Sequence, residues 1–163
     1  MRVDHLEADD RRSRRRGFVL VAAQMALLAV LAAPWPRRRG CGPTVAAGRA
    51  LQAAGLALAG AGALHLGPAL TAQPVPKPGA ELVTRGVYRR VRHPIYSGLG
   101  VFGLGSAMAA PHPVRAAAAA ALVALLAGKA AWEERMLAAR VPGYERYQRS
   151  AGRFLPRLRP PAG

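Results

Sequence analysis

Apolar residues in this chain fall into four long runs, separated by short blocks rich in Arg, Pro and Gly. The first run, Gly17 to Trp35, holds nineteen residues without a charge. At ~1.5 Å per helical residue, that length crosses a hydrocarbon core of ~30 Å. Pro34 and Pro36 close the run, and Arg37, Arg38, Arg39, Gly40 and Gly42 make a turn. The second run, about Thr44 to Leu66, is rich in Ala and Gly and carries Arg49 near its start. From Gly67 to Arg92 the chain turns polar, and Pro68, Pro74, Pro76 and Pro78 forbid a regular helix there. A third run, Pro94 to Ala110, ends at Pro111 and Pro113; a fourth, about Val114 to Trp132, includes the alanines 116–121. A soluble Ala-rich bundle would give each helix one polar face, and these runs show almost none. The pattern predicts an all-α polytopic membrane protein with about four transmembrane helices.

Composition narrows the class further. A length of 163 residues points to one domain, and an apolar share of 52% excludes a disordered chain. A single cysteine, Cys41, excludes a disulfide framework and a thiolate zinc site within one chain, and no metal site is expected. The formal charge is +16, from 24 Lys+Arg against 8 Asp+Glu. A nucleic-acid binder would carry this charge as a stripe on one folded surface. Here it flanks the apolar runs, where it meets anionic lipid headgroups, so no nucleic-acid partner is expected.

Charge also orients the chain. With the N-terminus in the cytoplasm, residues 1–16, segment 67–93 and the tail carry six, five and, counting Lys129, eight basic residues, against five outside. The positive-inside rule then places both termini in the cytoplasm of a bacterial-type inner or plasma membrane. The block Arg37–Arg39 runs against the rule. Arg15-Arg16-Gly17-Phe18-Val19-Leu20 loosely matches a twin-arginine export signal. Three further apolar spans favour a retained first helix with a positive inner flank.

Two segments carry candidate chemistry. The first runs from Leu82 to Gly98 and places Tyr88, Arg92, His93 and Tyr96 at the entry to the third helix. Pro94 suits the first helical position, because its missing N–H would be unpaired there anyway. The unpaired N–H groups of Ile95 and Tyr96 at such a helix start attract an anion such as a carboxylate. Beyond it, Gly98, Gly100, Gly103 and Gly105 leave room for a ligand or a neighbouring helix to approach the backbone. The second segment, Lys129-Ala-Ala-Trp-Glu133-Glu134, lies at the inner end of the fourth helix, where ionisable groups are costly and usually functional. Lys129 and Glu133, four residues apart, share one face. The paired carboxylates can neutralise an ammonium or sulfonium ligand, or can simply be solvated past the helix end. Taken alone, Arg92 and His93 read as headgroup contacts, and Tyr144 and Tyr147 as interface belt residues beside the interfacial stretch Arg153-Phe154-Leu155-Pro156. His65 and His112 read as lone interfacial histidines, and Arg49 as a snorkelling side chain.

In order, the chain shows a polar connector, Gly-x-Tyr-x-x-x-Arg-His-Pro-x-Tyr-x-Gly, a membrane hairpin, Glu-Glu, Tyr-x-x-Tyr and Arg-Phe-Leu-Pro. This order resembles the isoprenylcysteine carboxyl methyltransferase family of integral membrane enzymes, from about Gln73 to Pro156. The resemblance implies S-adenosylmethionine as cofactor. It implies a cytoplasmic pocket formed by the 67–93 connector, the third and fourth helices and the tail. Tyr88, His93, Pro94 and Tyr96 fall on the family's cofactor motif. Ala80, Glu81, Leu82 and Val83 fall on the stretch lining the adenosine end, and Gln73 on a cofactor-contacting glutamine. Glu133 falls on the cofactor-binding glutamate, with Glu134 beside it. Lys129 stands where the family has a substrate-facing arginine, and Arg92 is a second substrate-facing candidate. Related phospholipid N-methyltransferases share a Gly-x-Gly plus Glu-Glu pattern, which Gly98-Leu-Gly100 fits.

The implied organisation is a basic N-terminus (1–16), a first helix pair (17–66), a methyltransferase-like region (67–156) and a basic Pro-rich end (157–163). The implied reaction is methyl transfer to a lipophilic small molecule or lipid, with an isoprenylcysteine-like carboxylate first. Phospholipid N-methylation, or a non-catalytic membrane scaffold of the same fold, are the alternatives.

Overall fold

The computed structural model describes residues 2–34, 42–67 and 82–157. Five α-helices occur among them, with no strand longer than one bridge: α1 (Arg2–Ala32), α2 (Gly42–Leu66), α3 (Pro94–Ala109), α4 (Pro113–Arg140) and α5 (Tyr144–Ser150). A 3-10 turn at Gly86–Arg89 precedes α3. Among the described residues two stretches, Arg15–Ala32 within α1 and Pro113–Arg140, are long and apolar enough to cross a membrane, against the four spans expected. The turn block Arg37–Arg39 and Cys41 lie outside the described residues.

Two helices outrun the apolar runs that announced them. α1 begins at Arg2 rather than Gly17, because residues 2–16 contain no Gly or Pro and many good helix formers. α4 continues past Trp132 to Arg140 for the same reason, and stops only at Pro142. Glu133 and Glu134 are therefore inside the helix, not beyond its end. At the other end of α4, His112 caps the helix: its Nδ1 accepts the Val114 N–H at 3.2 Å.

The closest packing is between antiparallel α2 and α3, and glycine makes it possible. Gly48, Gly55 and Gly62 repeat every seven residues on α2, as do Gly98 and Gly105 on α3. A Cβ placed on Gly55 would lie 2.5 Å from the Gly98 carbonyl oxygen, and one on Gly105 would lie 2.6 Å from that of Gly48. The two backbones touch, with no side chain between them. In lipid, where apolar burial gives helices no reason to associate, such close approach is a main source of helix pairing. The face of Gly98 is thus filled by α2, and its part in the structure is this seam.

α1 lies against α4 and α3 through Leu31, Ala118, Leu122 and Leu126, with Leu27, Leu28 and Phe102 packed around them. The end of the bundle remote from the His93–Glu133 region is closed by Arg115, which the structure buries. Its guanidinium donates to the Ser106 carbonyl at 3.0 Å and the Ala33 carbonyl at 2.5 Å. Ser106 Oγ donates in turn to the Leu31 carbonyl at 2.5 Å. One cation thereby binds carbonyls at the ends of both α1 and α3, that of Ser106 also accepting the Ala110 N–H at 3.3 Å.

The seam makes a direct prediction. Gly55→Ala or Gly98→Ala must force α2 and α3 apart and lower stability by about 1–3 kcal/mol, the usual cost of overpacking. Gly100→Ala should be near neutral, because its Cβ meets only Val123 Cγ2 at 3.7 Å. Thermal unfolding of the three variants in one detergent decides between them.

Candidate active site

The entry to α3 is pinned from both sides. His93 occupies the N-cap position and Pro94 the first turn. The tail runs back beside this entry and pairs with it as a short parallel bridge between Val91 and Gly152. The Arg92 N–H donates to the Gly152 carbonyl at 2.8 Å, and the His93 N–H to the Arg153 carbonyl at 3.1 Å. Ser97 Oγ donates to the Phe154 carbonyl at 2.7 Å. The carbonyls of Arg153 and Phe154 thus hold the Arg-Phe-Leu-Pro stretch over the His93 segment, while Leu155 stays exposed.

Glu134 sits at the centre, 3% exposed. Its Oε1 accepts from Arg92 Nε at 2.9 Å and from His93 Nε2 at 3.1 Å. Its Oε2 accepts twice from Arg153, the Nε contact being 3.0 Å. A carboxylate has about four acceptor positions, and all of those on Glu134 are filled from within the chain. Glu134 is thus a structural anion and not the free ammonium partner that the acidic pair offered. Arg92, expected to face substrate, instead donates to Glu134 and to the carbonyls of Gln148 (2.9 Å) and Ala151. Those two carbonyls terminate α5, so Arg92 also caps that helix.

Glu133, about 100° further round α4, is placed differently. Its Oε2 accepts the Tyr96 hydroxyl at 3.2 Å and lies 3.8 Å from His93 Nδ1. The side chain is 26% exposed, so it keeps acceptor positions for a ligand. The His93 ring stands between the two carboxylates and stacks on Tyr96, 5.3 Å apart and 5° from parallel. It is buried and does not reach out as a headgroup contact.

Lys129 is 1% exposed. Its Nζ lies 5.3 Å from the centre of the Tyr96 ring and donates to Gln24 Oε1 at 2.7 Å. Gln24 escaped the reading of the sequence, although a signal was there: it is the one polar side chain in the first apolar run. An intramembrane polar residue calls for a partner, and only the packing of α1 on α4 reveals which one.

Tyr144 and Tyr147, read as interface residues, are buried with Ala151 against Leu82, Leu137 and Val141. The Tyr147 hydroxyl donates to the Tyr88 carbonyl at 2.6 Å. Burial pushes the Tyr147 phenol up to about 12. Burial and the nearby Glu133 raise that of Tyr88 further, so both phenols are neutral donors at any physiological pH. The Tyr144 hydroxyl is buried with no hydrogen-bond partner among the described residues, beside the charges of Glu134, Arg92 and Glu133. Gly86, at φ +58°, lets the 3-10 turn lie against the His65 ring; any Cβ there would strike the imidazole. His65 thus has a packing role. Leu82 and Val83 are half-buried beside this group, while Gln73, Ala80 and Glu81 lie outside the described residues.

Residues 43–140 match the model of the phospholipid methyltransferase family. The chain belongs to that family. It is accordingly a membrane methyltransferase, in line with the motif resemblance. No curated protein and no solved structure matches it. The family match covers Tyr88, His93, Tyr96, Lys129 and both glutamates. Gln24, Tyr147 and Arg153 lie outside it, on α1, α5 and the tail, yet each makes a hydrogen bond into the cluster.

The two glutamates should separate in a stability assay. Glu134→Gln leaves two guanidinium groups without their buried anion and should cost about 3–5 kcal/mol. Trypsin should then cut at Arg153 faster than in the parent protein. Glu133→Gln keeps the Tyr96 hydrogen bond and should unfold within about 1 kcal/mol of the parent.

Proposed function

We propose that this chain is an integral-membrane methyltransferase that uses S-adenosylmethionine and acts on a small lipophilic acceptor bearing a carboxylate, such as an isoprenylcysteine-like group. The observation that carries the proposal is the division of labour between the adjacent glutamates. Glu134 is saturated, whereas Glu133 remains half-open beside Tyr96 and His93.

The cofactor is a zwitterion with an added sulfonium, and the residues fit its charges. Glu133 has acceptor positions left for the ammonium. The N-terminal end of α3 offers partial positive charge to the carboxylate. Tyr88 and Tyr96 offer aromatic surface for the purine or the sulfonium. Tyr144 supplies a buried hydroxyl whose donor is unused. When bound, S-adenosylmethionine supplies an activated methyl group.

The remaining work belongs to this chain. Tyr96 and His93 hold the Glu133 carboxylate in place. The tail covers the α3 entry and keeps water from it. Lys129, buried against Gln24 beneath Tyr96, acts on an acceptor only through its field, which favours a carboxylate over an ammonium. A carboxylate is already ionised, so no proton has to be removed and positioning is the main requirement. An amine acceptor would have to lose a proton first. Phospholipid N-methylation stands as the second reading because the matched family is described as phospholipid methyltransferase. We further propose four crossings with both termini in the cytoplasm. The Lys/Arg distribution supports this, as does the meeting of the α3 entry and the α4 exit at one end of the bundle.

The test is transfer of labelled methyl from S-adenosylmethionine to a farnesylcysteine analogue or to phosphatidylethanolamine in separate vesicle assays. The farnesylcysteine analogue should be methylated. Glu133→Gln should bind the cofactor about 10- to 100-fold more weakly, the range for loss of one charged hydrogen bond. Label entering only phosphatidylethanolamine would shift the proposal to N-methylation. Failure of folded protein to bind the cofactor would end it.

A further inference from the structure

α4 is 28 residues long. At ~1.5 Å per residue it measures ~42 Å, more than the ~30 Å of a hydrocarbon core. After Arg115 near its start, α4 carries no further charge until Lys129, and we take its last turns and α5 to stand at headgroup level. α5 is two-faced there. Tyr144, Tyr147 and Ala151 point into the protein. Glu145, Arg146 and Arg149 point away from it and are exposed.

Between the outer face of α5 and the end of α4 lies an open cavity of ≈ 390 Å³. Ala138, Ala139 and Pro142 line it together with Arg140, Glu145, Arg146 and Arg149. The apolar part of that lining is built from small side chains. Gly143, at φ +82°, makes the tight turn that brings α5 over the end of α4. Three guanidinium groups face one carboxylate, so the cavity is strongly cationic. None of the three arginines contributes to the Glu134 cluster, and Arg146 and Arg149 lie outside the family match.

We propose that this cavity is a binding site for the phosphate-bearing headgroup of an anionic phospholipid in the leaflet facing the active site. A phosphate diester matches the planar fork of arginine better than the point charge of lysine. The apolar lining residues suit the glycerol and first methylenes of a lipid, which a soluble phosphate lacks. The location, where α4 leaves the hydrocarbon, is that of a headgroup and not of a soluble anion. A lipid seated here would touch the outer side of the segment whose inner side carries Tyr144 and Tyr147, next to the candidate active site.

The experiment is native mass spectrometry of the full chain released from nanodiscs of phosphatidylcholine with or without phosphatidylglycerol. One phosphatidylglycerol should be retained per chain, and phosphatidylcholine should not. The triple variant Arg140→Gln, Arg146→Gln, Arg149→Gln should weaken that retention about 10- to 100-fold at an unchanged melting temperature. Equal retention of the two lipids, or undiminished retention by the triple variant, would overturn the site. If the triple variant unfolds, Arg149→Gln alone must still show a several-fold loss, and wild-type retention there overturns the site equally. Inorganic phosphate added to detergent-solubilised protein should not displace the lipid at millimolar concentration. Displacement there would overturn the assignment to lipid.

Discussion

A single buried carboxylate holds the α3-entry end of this molecule together. Removing a charge from water costs several kcal/mol, and the cost is offset only when every acceptor position is filled by well-placed donors. Glu134 meets that condition by taking Arg92 and His93 from the entry of α3 and Arg153 from the tail. Elements distant in sequence thereby acquire one fixed relation: the connector, two helices and the C-terminal strap all meet at one residue. Arg92 extends the relation to α5 through two carbonyls.

This anchoring explains why two glutamates stand side by side and do unlike things. Neighbours on a helix point about 100° apart, so Glu134 faces the tail while Glu133 faces Tyr96 and Lys129. The saturated carboxylate orients His93, and His93 in turn flanks the partly exposed one. A site built this way can be both rigid and open, because its rigidity does not consume the acceptor positions of Glu133.

The frame beneath it rests on backbone contact. The glycine seam binds α2 to α3 as one unit, and leucine packing binds α1 to α4. Arg115 ties the far ends of α1 and α3 through their carbonyls. The candidate active site lies where these parts converge at the other end, which is how α1 comes to supply Gln24 to a lysine of α4. α1 thus contributes to a site whose family match begins only at residue 43.

Much of this was legible along the chain. Helical class followed from uninterrupted apolar runs punctuated by proline, since a run of that length has few other stable forms in or out of lipid. The pairing of the Arg-His-Pro-x-Tyr entry with the Glu-Glu exit followed from the order of the motifs. Even the seam was written as glycines seven apart, although a heptad of small residues does not say which helix it will face. Helix ends were less legible, because polar helix formers such as those of residues 2–16 and 133–140 extend a helix without marking it as apolar.

The sequence by itself determined which residue types were present at each helix end, and so the kind of chemistry available there. Only the tertiary structure decided which of them were left available. Glu133 and Glu134 are identical in type and adjacent in order, and nothing local distinguishes them. Their roles diverge because Arg153, nineteen positions further along, returns to one and not to the other. A long-range hydrogen bond depends on how the chain closes on itself, and that closure is a property of the whole fold.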